Sequence, residues 1–317
     1  MLNGTKEQKP PLSFSNESMY NIINTLQKQL KQHSELSFTV LNPDNFSGLY
    51  AGQEVIVDQK HYTYRSLRSW MDLATLLKCR MLTPTTPTKS TITLHFQKLQ
   101  TDSFHQDNPA DKSEKYGVNS HFAEINKNEE PAFISAYHHA LHLATLTEKK
   151  HVLNLGINQG DEFALIQEML PKETFTKIEF VGIDHSQSAI DAATKRFNVS
   201  NMHFYSHDIN NLHELSLEKF DLIITIGTLQ SPGINYKPFL QKLVQESLTH
   251  NGALILGFPN SRWIDGEMVY GAKMRNYRES DLSLVLTDID YAKRYLQQKK
   301  FNVRISGKEY IFLTAWR

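Results

Sequence analysis

The sequence predicts an α/β fold preceded by an α+β extension, and three observations carry that prediction. From about residue 130, apolar runs of strand length alternate with segments of helical periodicity, the order that builds sheets flanked by helices. In His151–Asp161 the apolar residues Val152, Leu153 and Leu155 suit a buried strand that stops at glycines, and Glu162–Leu170 then takes up the helical period. The chain closes on two further strand-like pieces, 302–306 and 309–315, joined across Gly307-Lys308 as a hairpin. At 317 residues it exceeds the usual single-domain length, so a division is expected into residues 1–128, an α+β extension with a polar linker, and residues 129–317.

Composition narrows the function classes. Thirty-four Lys and Arg balance thirty-four Asp and Glu, so no overall field draws the chain to nucleic acid or to a lipid surface. Cys79 is the single cysteine, which excludes an intramolecular disulfide and a multi-cysteine metal site and fits a reducing compartment. The first ten residues hold no apolar signal core and no later run is long enough to cross a bilayer, so a cytoplasmic protein is expected.

In the front third, residues 1 to about 15 form a loose polar arm. Ser15 and Asn16 cap a helix through Lys31, with Met19, Ile22, Ile23, Leu26 and Leu30 on one stripe. Strands follow at 36–41 and 54–64. A helix over 67–82, which would place Cys79 in its core face, ends at Thr-Pro-Thr-Thr-Pro, and 91–96 alternates as a strand. Residues 100–128 turn polar, with 116–125 placed to fold over a ligand. Pro131 then opens a helix through Leu146, directly before the central turn. His138 and His142 stand one turn apart on it, as in a zinc-protease helix. His139 occupies the place of the required Glu, so they are read as imidazoles beside the sheet and no metal is expected.

The central turn discriminates between two ligand classes. A dinucleotide fingerprint starting at Gly156 would need glycines at Asn158 and Asp161, and both positions fail. The stretch instead resembles the first motif of class I S-adenosylmethionine (SAM) methyltransferases, acidic-x-G-x-G-x-G, with Asn154, Gly156, Asn158 and Gly160 in its four slots. Asn tolerates left-handed backbone well enough to replace a turn glycine at 158. Ile178–Ala193 continues the resemblance with a second strand ending in Asp184, where these families place a carboxylate on the ribose hydroxyls, next to His185. The same Asp could also cap the following helix. Residues 202–209 supply a third strand, ending in Asp208 and Ile209 at the family position near the adenine. Phe220–Gln230 supplies a fourth, with Gly227 to Gln230 beside the transferred methyl. A helix over 238–248, an Asn251-Gly252 turn, a strand over 253–258, a helix over 288–298 and the terminal hairpin complete the order. The resemblance spans about residue 130 to the C-terminus. It implies a doubly wound, mostly parallel seven-stranded sheet closed by an antiparallel hairpin, with SAM as cofactor.

The transfer itself demands alignment more than covalent help from the protein. A base is needed only for an acceptor that starts protonated, and Tyr270, His185, His207 and Tyr137 are the candidates. No Asn/Asp-Pro-Pro-aromatic motif follows the fourth strand, which argues against the base- and glutamine-amino methyltransferases. The stretch 259–279 carries Trp263, Tyr270 and Arg275, rings beside cations that suit an aromatic or carboxylate-bearing small molecule. A small-molecule acceptor is therefore expected, with the extension shaping access or forming a homodimer contact. Two alternatives stand: an RNA or protein methyltransferase whose front third holds the macromolecule, and a non-catalytic SAM-binding module.

Overall fold

The structure is a computed structural model that describes residues 12–100, 117–271 and 281–317. The described chain divides into two compact units, residues 12–100 with 264–269, and residues 117–263 with 270–271 and 281–317.

The first unit orders β1 (Leu12–Ser13), α1 (Met19–Leu30), β2 (Glu35–Leu41), β3 (Glu54–Val57), β4 (Lys60–Thr63), α2 (Leu67–Leu76), β5 (Cys79–Thr85) and β6 (Thr91–Lys98). Its four-stranded sheet runs β1-β2-β6-β5, and β3 and β4 form a separate hairpin. The inward residues Phe38, Leu94 and Phe96 pack under Ile22 and Leu26 of α1 and Trp70 and Leu73 of α2. Phe38 meets Phe14, Phe96 and Trp70 at ring-centroid distances of 5.5, 5.0 and 5.8 Å. Local details differ from the sequence expectation. Ser18, not Ser15 or Asn16, caps α1, its side chain accepting from the Asn21 amide. The span 54–64 bends at Asp58 and Gln59, whose φ angles of 50° and 63° make the tight turn of a hairpin. Cys79 begins a strand rather than continuing a helix, because Lys78 adopts a left-handed φ of 54° and the residues after it pair with β6. Burial pushes the Cys79 thiol up to about 11.

The second unit continues with α3 (Pro131–Leu143), β7 (His151–Leu155), α4 (Asp161–Met169), α5 (Lys172–Phe175), β8 (Glu179–Asp184), α6 (Gln187–Arg196), β9 (Met202–Ser206), β10 (Phe220–Ile226), α7 (Tyr236–Lys242) and β11 (Leu248–Pro259). After a β12 (Ser261–Ile264) and β13 (Glu267–Tyr270) pair, whose residues 264–269 belong to the first unit, it ends with α8 (Ser283–Gln298), β14 (Asn302–Gly307) and β15 (Tyr310–Trp316). The seven-stranded sheet has the order β14-β15-β11-β10-β7-β8-β9. The five strands from β11 to β9 are parallel, and β15 enters antiparallel between β11 and β14. This is the doubly wound sheet with an antiparallel terminal hairpin that the resemblance implied. Side-chain alternation sends Val152, Leu222 and Ile224 to the face covered by α3, α4 and α6, and Leu153, Leu155 and Ile223 to the face covered by α7 and α8. Asn251 and Gly252 lie inside β11 rather than in a free turn. Phe220 pairs with Leu248 but Leu222 pairs with Ala253, so the extra residues bulge out of the ladder.

Candidate functional site

Strand order locates the site. The chain winds outward from β7 through β8 to β9, then returns to the other side of β7 as β10, so the winding reverses between β7 and β10. In open α/β sheets a crevice opens at such a reversal, outside the carboxyl ends of the strands. The segment Gly156–Gly160 after β7 and Gly227-Thr228 after β10 both lie at that end.

Backbone geometry explains why these residues occupy the turn. Gly156, Asn158 and Gly160 have φ angles of 77°, 48° and 90°, so Asn158 does take the left-handed conformation expected of it. The Gly156 and Ile157 amides both donate to the Ile183 carbonyl, at 2.8 and 3.2 Å, folding the turn back on the end of β8. A Cβ on Gly156 would collide with Thr228 Oγ1, whose hydroxyl donates to the Leu155 carbonyl at 3.0 Å. A Cβ on Gly160 would collide with the ring of Phe197.

Asp184, at the end of β8, ties the turn to the next helix. Its Oδ2 accepts from the Asn158 amide at 2.9 Å and its Oδ1 from the Ser186 amide at 3.1 Å, while His185 Nδ1 lies 3.2 Å from Oδ1. Burial would raise this carboxyl, but the hydrogen bonds from His185, Ser186 and Asn158 outweigh it and hold the group below the usual carboxylate range. Asp184 does not cap α6; that cap is Ser186, whose hydroxyl accepts from the Ala189 amide at 3.2 Å. A carboxylate offers about four lone-pair sites and three are taken, so one acceptor position remains and a second opens if His185 turns aside.

The other residues expected at the site separate into groups. Asn154, between Gly182 and Ile224 in the sheet, is 1% exposed, and both atoms of its side-chain amide lack a hydrogen-bond partner. Such a pair of orphaned buried atoms calls for a polar ligand or water. Asp208 is exposed and spends Oδ1 on the amide and side chain of Asn210, both at 2.9 Å, capping the 3-10 turn that begins at Ile209. Gly227 takes a φ of 75° and donates its amide to Gly257 at 2.8 Å.

Of the base candidates, Tyr137 lies in the core. It is fully buried on α3, its hydroxyl donates to the Glu162 carbonyl at 3.4 Å, and burial followed by the charge of Glu162 pushes its pKa well up. His207 Nε2 faces the Asn211 carbonyl at 3.1 Å and Glu214 at 3.5 Å. Tyr270 is 55% exposed and Trp263 is half-buried, both on the β12–β13 pair that follows β11. Arg275, like Lys273, Tyr277 and Arg278, lies outside the described residues. His138 and His142 are exposed on α3, and no His, Cys, Asp or Glu cluster suited to a metal ion occurs among the described residues. Gln230, the last residue of the stretch expected beside the transferred methyl, has a buried Oε1 just after β10 that also lacks a partner.

A seven-stranded sheet of this order, with a glycine turn after its first strand and a carboxylate ending its second, defines a class I SAM-dependent methyltransferase. The sequence profile of the family described as methyltransferase domain matches residues 146–306, just over half of the chain, and the chain belongs to that family. It is an enzyme that uses SAM as methyl donor. Among curated proteins, none matches by sequence. Among solved structures it is similar to the plantazolicin methyltransferase BpumL in complex with SAH, at 14% identity, TM-score 0.43, and coverage of 62% of this chain and 88% of that one. It is similar also to a precorrin-6y C5,15-methyltransferase from Geobacter metallireducens GS-15, at 10% identity and TM-score 0.39, covering 57% and 87%. The methyltransferase domain of bacterial CtHen1-CN follows at 13% identity and TM-score 0.41, covering 57% and 97%. No helix among the described residues is long and apolar enough to cross a membrane.

Proposed function

We propose that the chain methylates a small-molecule acceptor, holding SAM on the turn 156–160, Asp184 and the ends of β9 and β10. SAM supplies an electrophilic methyl on a sulfonium. Asp184, kept ionised by its three donors, accepts hydrogen bonds from vicinal hydroxyls, and its ties to Asn158 and Ser186 fix the turn before any ligand arrives. The Asn154 amide gives the floor of the crevice one acceptor and two donors without a protein partner, suited to a zwitterionic amino-acid group. His207 and His185 each hold an oxygen with one ring nitrogen and can take a proton on the other, and the exposed Tyr270 phenol is a third group that can meet an acceptor hydroxyl.

One observation carries the acceptor class. Trp263 and Tyr270 stand on the strand pair that leaves the carboxyl end of β11, and β11 is parallel to β7 and β10, so these rings follow the same end of the sheet as the glycine turn. Ring faces and edges at that end suit a planar organic acceptor, and the balance of 34 basic and 34 acidic residues supplies no field for a polyanion. Tritium-labelled SAM incubated with a small-metabolite fraction, total RNA and denatured protein, each separately, tests the reading. Label is expected in the small-metabolite arm. Label confined to RNA or protein would overturn the acceptor class and leave the cofactor assignment standing.

A further inference from the structure

The residues just before α3 carry no motif, and the structure sets them across the cofactor turn. Val118 donates its amide to Ser188 Oγ at 3.1 Å, at the first turn of α6 beyond Asp184. Five residues on, the Ala123 carbonyl accepts from Gln159 Nε2 of the turn itself at 3.3 Å. Asn128 Nδ2 then donates to the Asp161 carbonyl at 2.8 Å, at the start of α4. Between these ties Lys127 turns inward. Its side chain is only 14% exposed, its ammonium lies 3.7 Å from the carboxylate of Glu162, which is 3% exposed, and it sits 5.6 Å from the ring centroid of Tyr310. The segment 118–128 thus spans from the helix after Asp184 to the helix after Gly160, the two helix starts that flank the cofactor crevice.

Long charged side chains are seldom buried unless paired. A buried ammonium and carboxylate hold each other tightly once formed, and either one left alone is costly. Such a pair is poor at adding net stability but effective at fixing one register, and here the register it fixes is that of the strap against the first turn of α4. The Gln159 and Asn128 bonds are single neutral contacts, each worth far less. Removal of the ion pair should therefore free the strap more than removal of any one hydrogen bond.

We infer that Lys127 is a positioning residue for the methyl donor: locked on Glu162, it holds the 118–128 strap as the outer wall of the crevice, and so sets how long SAM stays bound. The inference rests on the cofactor site proposed above. It also accounts for a lysine side chain only 14% exposed beside ties to half-buried groups at Ser188, Gln159 and Asp161.

The test uses the whole chain. In Lys127→Met/Glu162→Gln the charge tie is gone and no lone charge stays buried; in Asn128→Ala one neutral tie is gone and the pair is intact. SAM dissociation is followed by stopped-flow with excess competitor, and amide hydrogen exchange over 118–128 is measured with and without SAM. The double variant is expected to release SAM at least tenfold faster and to lose SAM-dependent protection of the strap, and Asn128→Ala is expected to move both readouts the same way by about threefold. If the double variant does not fold, Lys127→Gln/Glu162→Gln, which puts a neutral hydrogen bond in place of the ion pair, is read by the same two measurements. Dissociation within twofold of wild type, or faster dissociation with the strap's exchange unchanged, overturns the inference while the cofactor reading stands. A wild-type chain that binds no SAM overturns both.

Discussion

Asp184→Asn separates what this residue does for the fold from what it does for the ligand. The carboxylate accepts the Asn158 amide at 2.9 Å and the Ser186 amide at 3.1 Å, and it is 6% exposed. A side-chain amide has one acceptor oxygen and turns its NH2 toward the other donor, so one buried backbone N–H loses its partner at a cost of about 1–3 kcal/mol. At about 2–4 °C per kcal/mol for a domain of this size, that lowers the melting temperature by roughly 2–12 °C. Binding suffers separately: a lost charge-assisted bond to a ligand hydroxyl costs about 1.5–3 kcal/mol, or roughly ten- to hundredfold in affinity. Calorimetric titration of SAM well below the melting temperature, beside a circular-dichroism melt, measures both. SAM affinity within twofold of wild type in a folded variant would remove Asp184 from the cofactor site.

The pH dependence of the same pair of proteins follows from the direction of the shift. The folded carboxyl lies below its ordinary value, so its stabilising contribution is complete above the unfolded pKa of about 3.9 and is lost as pH falls through the lower folded value. The gap in melting temperature between wild type and Asp184→Asn should accordingly hold from neutrality to about pH 5 and narrow below pH 4. A gap that stays constant to pH 2.5 would contradict the hydrogen-bonded carboxylate. Gly156→Ala puts a methyl into Thr228 Oγ1 at a φ of 77°, and at least about 2 kcal/mol of stability and most SAM binding should go; scanning fluorimetry with SAM titration checks this, and an unchanged melt would refute it. Tyr270→Phe should keep SAM affinity near wild type while kcat/KM for the acceptor falls at least tenfold, about 1.4 kcal/mol, in steady-state kinetics. Tyr137→Phe should leave turnover within threefold and cost about 1 kcal/mol or less, since only a 3.4 Å bond to a carbonyl is lost; a collapse of turnover in a folded variant would restore this tyrosine as a base.

The parts of this chain that can be read from its sequence are those governed by local rules. Strand-length apolar runs show which segments are strands because each is bounded by its own turn chemistry, and the resemblance implies how they order in the sheet. Gly156, Asn158 and Gly160 stood out because few other residues accept positive φ. Local rules fail where partners are distant in sequence. The helical period of 67–82 runs on past Leu77, but pairing with β6 recruits Cys79–Thr85 into a sheet and Lys78 absorbs the turn. Asn251-Gly252 has the composition of a turn, yet the flanking residues 248 and 253 both pair with β10 and turn the dipeptide into a bulge. Asp184 and Ser186 both satisfy the rule for a helix cap, and only the fold assigns the cap to one and the Asn158 amide to the other. The Lys127–Glu162 pair has no signature because its partners lie 35 positions apart on a strap and a helix.

Binding selectivity distinguishes a SAM site from a dinucleotide site, since the turn that failed the dinucleotide spacing must favour a different adenosine ligand. Calorimetric titration of the wild-type chain with SAM, S-adenosylhomocysteine and NAD in parallel should show both sulfur ligands binding at least an order of magnitude more tightly than NAD. Saturable NAD binding with no heat from SAM would contradict the assignment of the turn at 156–160 and of Asp184 together.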